Sequence, residues 1–244
     1  MLNLLVPIAS RSPYFPAEEY PFPKPLIEVQ GRTILEGVLD NLNSIEGAKK
    51  ITFIVLAEDC KKFYLDDTIR ILTNGTADVI VLDHETQGAA CSILMAIDTI
   101  NNEVPLLIAN GDQLFDCSIE TLVAPLRSAD AGVVTFESVH PRWSYVSLEE
   151  GDRVVEVSEK RPLSKNAVAG LYYFSKGADF VRGAMRMIEK GDDVDGRYFV
   201  APVLNQLILD GKHVKASRVK LGSYHTFYSP QKIAEFERAD SARQ

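Results

Sequence analysis

The chain has 244 residues, 46% of them apolar and 25% charged, and its formal net charge is −8 at pH 7. This length and apolar content predict one large α/β domain or two small ones with a buried core, and they exclude disorder as the main state. The acidic balance argues against a nucleic-acid partner, since such a surface needs clustered Lys and Arg to neutralise phosphates. Any anionic ligand must therefore be bound by a local group of cations.

The cysteines and the N-terminal sequence bear on cellular location. Cys60, Cys91 and Cys117 lie far apart with no CxxC pair, which is typical of reduced structural thiols in a cytoplasmic protein. The apolar N-terminal run ends at Pro7 and is too short for a signal peptide or a membrane span. We therefore expect a soluble, cytoplasmic protein without a membrane partner.

The first half of the chain alternates strand-like and helix-like stretches. Its apolar opening, residues 2–8, has the composition of a buried parallel strand. Apolar spacing then predicts helices at 34–42 and 89–100, and strands at 51–56, 78–82 and 105–109. Such alternation is typical of a parallel sheet with helices on both faces.

The second half begins with short strands separated by turns. The pattern predicts strands at 131–137, 145–148, 154–157, 169–174 and 213–219, and helices at 178–189, 198–209 and 230–239. We therefore predict an α/β fold with a Rossmann-like, mostly parallel sheet flanked by helices and a smaller antiparallel or mixed β extension. The chain is expected to be one continuous domain, 1–244, with lobes at 1–130 and 131–244.

Two charged side chains follow the predicted strands of the first lobe. Lys24 stands among three prolines, Pro21, Pro23 and Pro25, which fix their own backbone angles and stiffen the segment. Asp112 comes just after the predicted strand at 105–109. Ligands of parallel sheets gather outside the carboxyl ends of the strands, so we expect Lys24 and Asp112 to meet in one crevice. A rigid ammonium group at that place suits phosphate binding.

An ordered set of short motifs carries a family resemblance. The motifs are Pro23-Lys24-Pro25-Leu26, Gly88-Ala89-Ala90, Gly111-Asp112, Ser158-Glu159-Lys160-Arg161-Pro162 and Ala169-Gly170-Leu171-Tyr172-Tyr173. Each motif is weak alone, but in this order and spacing the chain resembles the sugar-phosphate nucleotidylyltransferases over nearly its whole length. The phrases at 140–145 and 199–203 are similar to those of short bacterial members from surface-polysaccharide pathways.

The resemblance implies a GT-A type, Rossmann-like nucleotide-binding fold and a defined reaction. A nucleoside triphosphate would be joined to a sugar phosphate, or a related phosphorylated small molecule, to give a nucleotide-sugar and pyrophosphate. The acceptor phosphate would attack the α-phosphorus in line, so the protein would act by positioning and by neutralising charge. The first lobe would bind the nucleotide and the second lobe the acceptor.

The resemblance also implies roles for particular residues. Lys24 would contact the triphosphate and stabilise developing charge, and Asp112 would hold a divalent metal, expected to be Mg²⁺. The remaining implied contacts are Ala9, Ser10, Gly88 and Gly111 for the nucleotide, and Glu159, Lys160, Gly170 and Tyr172 for the acceptor.

Two positions depart from the family pattern. Members of the family carry a loop of the form G-x-G-x-R after the first strand, whose amides and arginine bind the triphosphate. Here the loop reads Ser10-Arg11-Ser12-Pro13-Tyr14, so Tyr14 stands at the arginine position and Arg11 is the candidate substitute. Many members also have an aspartate that completes the metal site, where this chain has Thr226.

These departures leave an alternative function open. A catalytically impaired homologue would bind a nucleotide or a nucleotide-sugar as a sensor or as a partner subunit. A glycosyltransferase ranks last, because Asn110-Gly111-Asp112 lacks the first carboxylate of a D-x-D metal motif. The segment 192–195 is predicted to be a solvated turn. The base, the acceptor and a homo-oligomeric state are not determined by the sequence.

Overall fold

A computed structural model describes residues 1–16 and 18–241 of the chain. The last residues of the predicted domain, 242–244, lie outside the described part. Within it, the strands are β1 Leu2–Pro7, β2 Glu28–Val29, β3 Arg32–Thr33, β4 Lys49–Leu56, β5 Asp78–Leu82, β6 Leu106–Ala109, β7 Gln113–Phe115, β8 Ala131–Glu137, β9 Tyr145–Leu148, β10 Val154–Ser158, β11 Asn166–Phe174, β12 Val214–Arg218 and β13 Tyr224–Thr226.

The α-helices of the same residues cover both faces of the sheet. They are α1 Ile34–Asn43, α2 Ala57–Phe63, α3 Leu65–Leu72, α4 Ala89–Leu94, α5 Ile97–Ile100, α6 Ile119–Val123, α7 Gly177–Glu189, α8 Val203–Leu209 and α9 Pro230–Ser241. Short 3₁₀ helices occur at Lys24–Leu26, Ala124–Ser128 and Glu150–Asp152.

The main sheet joins both predicted lobes. Its strand order is β10-β9-β11-β6-β1-β4-β5, with β8 paired to β11 and β12 paired to β8. The β1, β4, β5 and β6 pairs are parallel, whereas β11 runs antiparallel to both β6 and β8. A mostly parallel sheet with an antiparallel extension, flanked by helices, confirms the predicted fold class.

The central strand of the sheet is buried on both faces, because its successive apolar side chains point to opposite sides. Leu4 and Val6 of β1 belong to one core, which is covered by α1, α3, α6 and α9. Leu5 belongs to the opposite core, which is covered by α4, α5, α7 and α8. Burial on both sides explains why β1 reads as a continuous apolar run rather than an alternating one.

Helix α1 shows how the local sequence sets an element's start. Thr33 accepts a hydrogen bond from the Glu36 backbone amide, and the Glu36 carboxylate accepts one from the Thr33 amide. This reciprocal capping box satisfies two amides that a helix start leaves free. Apolar residues at helical spacing then bury one face of α1 against the sheet.

Two predicted helices are shorter than expected. The helix predicted at 198–209 begins only at Val203, because backbone hydrogen bonds with Gln87 and Ala90 hold Tyr198 in a segment without regular secondary structure. Pro202 fixes the backbone just before the first turn of α8. The helix predicted at 89–100 is split between α4 and α5 at residues 95–96, for which no physical reason is evident.

Several short elements were absent from the prediction. Helices α2, α3 and α6 and strands β7 and β13 belong to this group. Strand β13 pairs with β7 in a small separate sheet, which places residues 224–226 beside the end of β6. No helix among residues 1–16 and 18–241 combines the length and the apolar character needed to cross a membrane.

Candidate functional site

The carboxyl ends of β1 and β6 lie side by side, because these two strands are paired in parallel. Asp112 follows β6, and Lys24 begins the 3₁₀ turn of the proline-rich segment. The Lys24 Nζ and Asp112 Oδ2 atoms are 2.7 Å apart. Both side chains are about one-fifth exposed, at 22% and 20%. The structure thus brings together the two groups that we expected to meet.

Two adjoining cavities open beside this ion pair. One, of about 180 Å³, is lined by Ser10, Lys24, Asn110 and Asp112 among others. The second, of about 300 Å³, is lined by Ser10, Lys24 and Arg11 among others. Lys24 and Ser10 therefore line both cavities, so a chain of phosphates in either of them would lie against the Lys24 ammonium group.

Arg11, the predicted substitute for the loop arginine, is engaged by carboxylates. Its two terminal nitrogens lie 2.8 Å from Glu58 and 2.8 Å from Asp59, both on α2. Its backbone amide donates to the Glu85 carboxylate. Two acidic partners satisfy much of the guanidinium, so less of its charge is available to a phosphate. A triphosphate role for Arg11 stays a prediction.

Gly88 and Gly111 are required by close packing of the chain on itself. A Cβ atom at Gly88 would lie 2.4 Å from the Tyr198 carbonyl oxygen, and one at Gly111 would lie 2.1 Å from the Ile8 Cγ2 atom. Gly88 also has a φ of +117°, which side chains disfavour. Their predicted nucleotide contacts remain untested, as does that of Ala9, whose side chain is buried beside β1.

Replacing Gly88 by alanine is expected to destabilise the fold by about 2 to 4 kcal/mol, because both the φ angle and the Tyr198 backbone oppose a Cβ atom. Gly151 is a matched control, since it also has a positive φ of +73° but no atom within 4 Å of the place that a Cβ atom would take. Gly151→Ala should cost only about 1 kcal/mol. Chemical denaturation of both variants measures the difference, and equal losses would contradict the packing argument.

Gly170 lies at an irregularity of β11 close to the end of β6. The register of β11 against β8 shifts between Val168 and Tyr172, and Gly170 has a φ of +62°. Its carbonyl accepts hydrogen bonds from the Asn110 amide at 2.9 Å and from Gln113 Nε2 at 3.1 Å. The Tyr224 hydroxyl donates to Gln113 Oε1 at 3.1 Å, so these residues form one connected network.

Glu159, at the end of the second lobe's hairpin, has an unusual environment. Burial raises the pKa of Glu159 to about 7, although a hydrogen bond from Ser144 and the charge of Lys160 partly oppose this rise. The Ser144 hydroxyl donates directly to the Glu159 carboxylate. Burial, with the charge of Glu159, also raises the pKa of Tyr172.

A row of polar groups links Glu159 with Asp112. Burial raises the pKa of Tyr224, and the nearby charges of Asp112 and Tyr172 raise it further. Each group of this row, Asp112, Tyr224, Tyr172 and Glu159, interacts electrostatically with the next. A partly buried row of hydroxyl and carboxyl groups that includes Asp112 is suited to a polyhydroxylated ligand.

Lys160, the second predicted acceptor residue of this segment, points toward a different loop. Its Nζ atom lies 2.8 Å from Asp195 Oδ2 and 5.2 Å from the centre of the Phe199 ring. The segment at 192–195 was predicted to be a solvated turn, yet Asp195 contributes to this ion pair while remaining 73% exposed. Only the loop's tertiary position brings the two residues together.

Three residues of the network were not singled out from the sequence: Ser144, Gln113 and Tyr224. Ser144 lies within the motif at 140–145, and Gln113 follows Asp112 directly. Their positions in the sequence could therefore have indicated that they belong to the site. Tyr224 gave no such indication, because its place depends on the pairing of β13 with β7.

The second departure from the family pattern lies beside Asp112. The Phe227 amide donates to the Asp112 carbonyl at 2.8 Å, which places Thr226 next to Asp112. Within the described residues, no group of three or more His, Cys, Asp or Glu side chains is arranged to hold a metal. Asp112 therefore offers one carboxylate, which fits Mg²⁺ only in the form that this ion commonly takes, with phosphates and water as its other ligands.

A family of known proteins matches the part of the chain that contains the main site residues. The sequence profile of the family described as Nucleotidyl transferase matches residues 20–212. The chain therefore belongs to the nucleotidyl transferase family, and this membership makes it a transferase enzyme. The match contains Lys24, Asp112 and Glu159, and it ends before the strand that carries Tyr224 and Thr226.

Individual relatives are distant in sequence. The UTP–glucose-1-phosphate uridylyltransferase AglF of Haloferax volcanii is 24% identical over 204 residues, which are 81% of this chain and 79% of the relative. The bifunctional protein GlmU of Methanococcus aeolicus is 23% identical over 174 residues, which are 70% of this chain but 39% of the relative. The chain thus spans about two-fifths of the length of GlmU.

A solved structure supports the fold over nearly the whole chain. The nucleoside-diphosphate-sugar pyrophosphorylase from Vibrio cholerae superposes with a TM-score of 0.81, and the alignment covers 98% of this chain and 100% of that one. The sequences are 20% identical, so this likeness concerns the fold alone.

Proposed function

We propose that this protein is a sugar-phosphate nucleotidylyltransferase, which joins a nucleoside triphosphate to a sugar phosphate or a related phosphorylated small molecule and releases pyrophosphate. The observation that carries the proposal is the Lys24–Asp112 pair at the paired carboxyl ends of β1 and β6, with the polar row leading from it to Glu159. The relative named for the uridylylation of glucose-1-phosphate supports the same reaction.

The nucleotide side of the proposed reaction centres on Lys24. Without substrate, Lys24 and Asp112 neutralise each other at 2.7 Å. A triphosphate in the adjoining cavities would compete for the Lys24 ammonium group, which would then stabilise charge on the phosphates as the bond to pyrophosphate breaks. This exchange of partners would leave the Asp112 carboxylate oxygens available to a cation.

Mg²⁺ is the expected cation, with Asp112 as its protein ligand. When bound, it would supply neutralisation of the phosphate oxygens around the α-phosphorus. Asp112 has a hard oxygen donor at the edge of the cavity, and the substrate phosphates would supply further oxygen ligands. Thr226 is adjacent but contributes no charge.

The acceptor side is proposed to lie along the row from Tyr224 to Glu159. Sugar hydroxyls would donate to the Glu159 carboxylate, and Tyr172 and Gly170 would line the same pocket. Lys160 would meet the acceptor phosphate after exchanging its partner Asp195, an exposed ion pair that costs little to break. The acceptor phosphate oxygen would then attack the α-phosphorus in line, with no covalent enzyme intermediate.

A pyrophosphate-release assay tests the proposal. Purified protein is incubated with each of UTP, CTP, GTP and dTTP, with MgCl₂, and with a panel of phosphorylated sugars and polyols. We expect release that requires both the nucleotide and the acceptor. Thermal stabilisation by nucleotides without any release of pyrophosphate across the panel would instead support the alternative of a catalytically impaired binding homologue. The altered loop and Thr226 are the two features that favour this alternative.

The proposed location is the cytoplasm. Cys60, Cys91 and Cys117 all carry free thiols, and burial raises the pKa of each of them, which makes the thiols less reactive. Free, unreactive thiols are typical of a reducing compartment such as the cytoplasm. The proposed phosphorylated substrates are consistent with the same location. Light scattering of the purified protein will show whether it forms a homo-oligomer.

A further inference from the structure

Tyr14, which stands where the family has its loop arginine, is in contact with an arginine from the other lobe. Arg142 lies in the connection between β8 and β9. Its Nη2 atom is 3.4 Å from the Tyr14 hydroxyl, and its guanidinium carbon is 5.4 Å from the centre of the Tyr14 ring. The same carbon is 3.5 Å from the ring centre of Tyr228 and 5.8 Å from that of Trp143.

Three aromatic rings hold this guanidinium in place. A planar guanidinium stacks well on aromatic faces, and such contacts fix its orientation without neutralising its charge. The Trp143 and Tyr228 rings contact each other with their centres 5.7 Å apart, so the support is itself packed. Arg142 is therefore oriented before any ligand binds.

Arg142 differs in its partners from the three cations that were predicted to bind phosphates. Lys24 pairs with Asp112, Arg11 pairs with carboxylates of α2, and Lys160 pairs with Asp195. Among residues 1–16 and 18–241, no carboxylate forms an ion pair with Arg142, and its buried Nε atom has no hydrogen-bond partner. A half-buried cation without a counterion favours an anionic ligand.

The position of Arg142 connects both departures from the family pattern. Arg142 lines a cavity of about 810 Å³ together with Thr226, the residue at the position of the missing aspartate. Thr226 lies beside Asp112, as the hydrogen bond from Phe227 shows. Arg142 thus contacts the residue that replaced the loop arginine and shares a cavity with the residue that replaced the second carboxylate.

We propose that Arg142 binds the phosphates of the nucleoside triphosphate and supplies the guanidinium that the altered loop lacks. The inference rests on the proposed function for the identity of its ligand. Tyr14 then contributes to the phosphate site, because its ring and hydroxyl hold Arg142 in place. The altered loop is a rearranged phosphate site whose guanidinium comes from the second lobe.

Binding of inorganic tripolyphosphate, measured by calorimetry, tests this inference without any assumption about base or acceptor. Arg142→Gln should weaken tripolyphosphate and nucleoside triphosphate about ten- to a hundredfold, as expected for the loss of one charged hydrogen-bonding partner. Arg142→Lys, which keeps the charge but cannot form the planar fork, should lose less. Arg70→Gln is the matched control, since it removes the same charge from an ion-paired arginine of α3 and should leave binding unchanged.

A second variant separates a direct contact from a folding defect. Adding Tyr14→Arg to Arg142→Gln returns a guanidinium to the family position and should restore at least part of the lost tripolyphosphate affinity. Unchanged binding in Arg142→Gln, an equal loss in Arg70→Gln, or no binding by the wild type would overturn the inference. If Arg142→Gln weakens binding but the wild type shows no turnover, the proposed reaction fails while the phosphate site stands.

Discussion

Asp112→Asn is expected to lower the rate of pyrophosphate release by roughly a thousandfold. The change removes the carboxylate that would bind Mg²⁺ and that holds Lys24 at 2.7 Å, and a loss of about 4 kcal/mol in transition-state stabilisation corresponds to this factor. Because asparagine has nearly the same shape, the Phe227 contact with the Asp112 backbone should persist. Steady-state rates at saturating nucleotide and acceptor measure the effect.

The control for this variant is Asp40→Asn. Asp40 also pairs with a cation at 2.7 Å, but its side chain is 59% exposed on α1 and outside both cavities. Breaking such a surface pair changes little, so its rate should match the wild type. A rate for Asp112→Asn within about threefold of the Asp40→Asn rate would rule out the proposed role of Asp112.

Glu159→Gln is expected to stabilise the free protein above pH 7 and to remove part of its pH dependence. Burial raises the pKa of Glu159 to about 7 in the folded state, whereas an unfolded glutamate titrates near 4.3. Between these values the folded state binds more protons than the unfolded state, so stability falls as the pH rises. The full effect is about 4 kcal/mol at most, and glutamine does not titrate.

Denaturation of wild type and Glu159→Gln at pH 5 and pH 8 measures this difference. The free energy of unfolding of the variant, relative to that of the wild type, should rise by about 2 to 3 kcal/mol from pH 5 to pH 8. Glu156→Gln, three residues earlier on β10, is the control, because its carboxylate is exposed and paired with Arg161. A parallel pH response of wild type and Glu159→Gln would show that Glu159 is ionised throughout.

The same variant should impair the acceptor side of the reaction. If sugar hydroxyls donate to the Glu159 carboxylate, they favour its charged form, and acceptor binding should release a proton near pH 7. Glu159→Gln should then raise the acceptor KM about ten- to a hundredfold, while the KM of the nucleotide stays near the wild-type value. A gain in stability with a loss of acceptor affinity is typical of a buried group kept for function.

Much of the fold follows from the sequence because its elements have local periodicity. Strands such as β5 and β8 are short apolar runs, and helices such as α1 and α7 repeat their apolar positions about every 3.6 residues, so these elements were predicted nearly to the residue. Helix α3 carried only Leu65 and Ile69 as buried apolar residues, which is too short a pattern to separate from a loop. Helix α8 was predicted too long because Tyr198 is held by a contact with residues more than 100 positions away.

The candidate site was predictable only in part. Lys24 and Asp112 were placed together from sequence because the carboxyl ends of neighbouring parallel strands must share one edge of a sheet. The burial of Glu159, the place of Tyr224 and the partners of Arg11 were not predictable, because each depends on side chains from distant segments.

The sequence by itself determined the layered α/β architecture, the nucleotidyl transferase resemblance and the meeting of one lysine with one aspartate. Only the tertiary structure decided that Arg142 rests against Tyr14, 128 positions away, and that Glu159 is held with a raised pKa. The physical reason is that strand and helix patterns depend on residues close together in the sequence, whereas burial and charge pairing depend on how the helices and strands pack against one another.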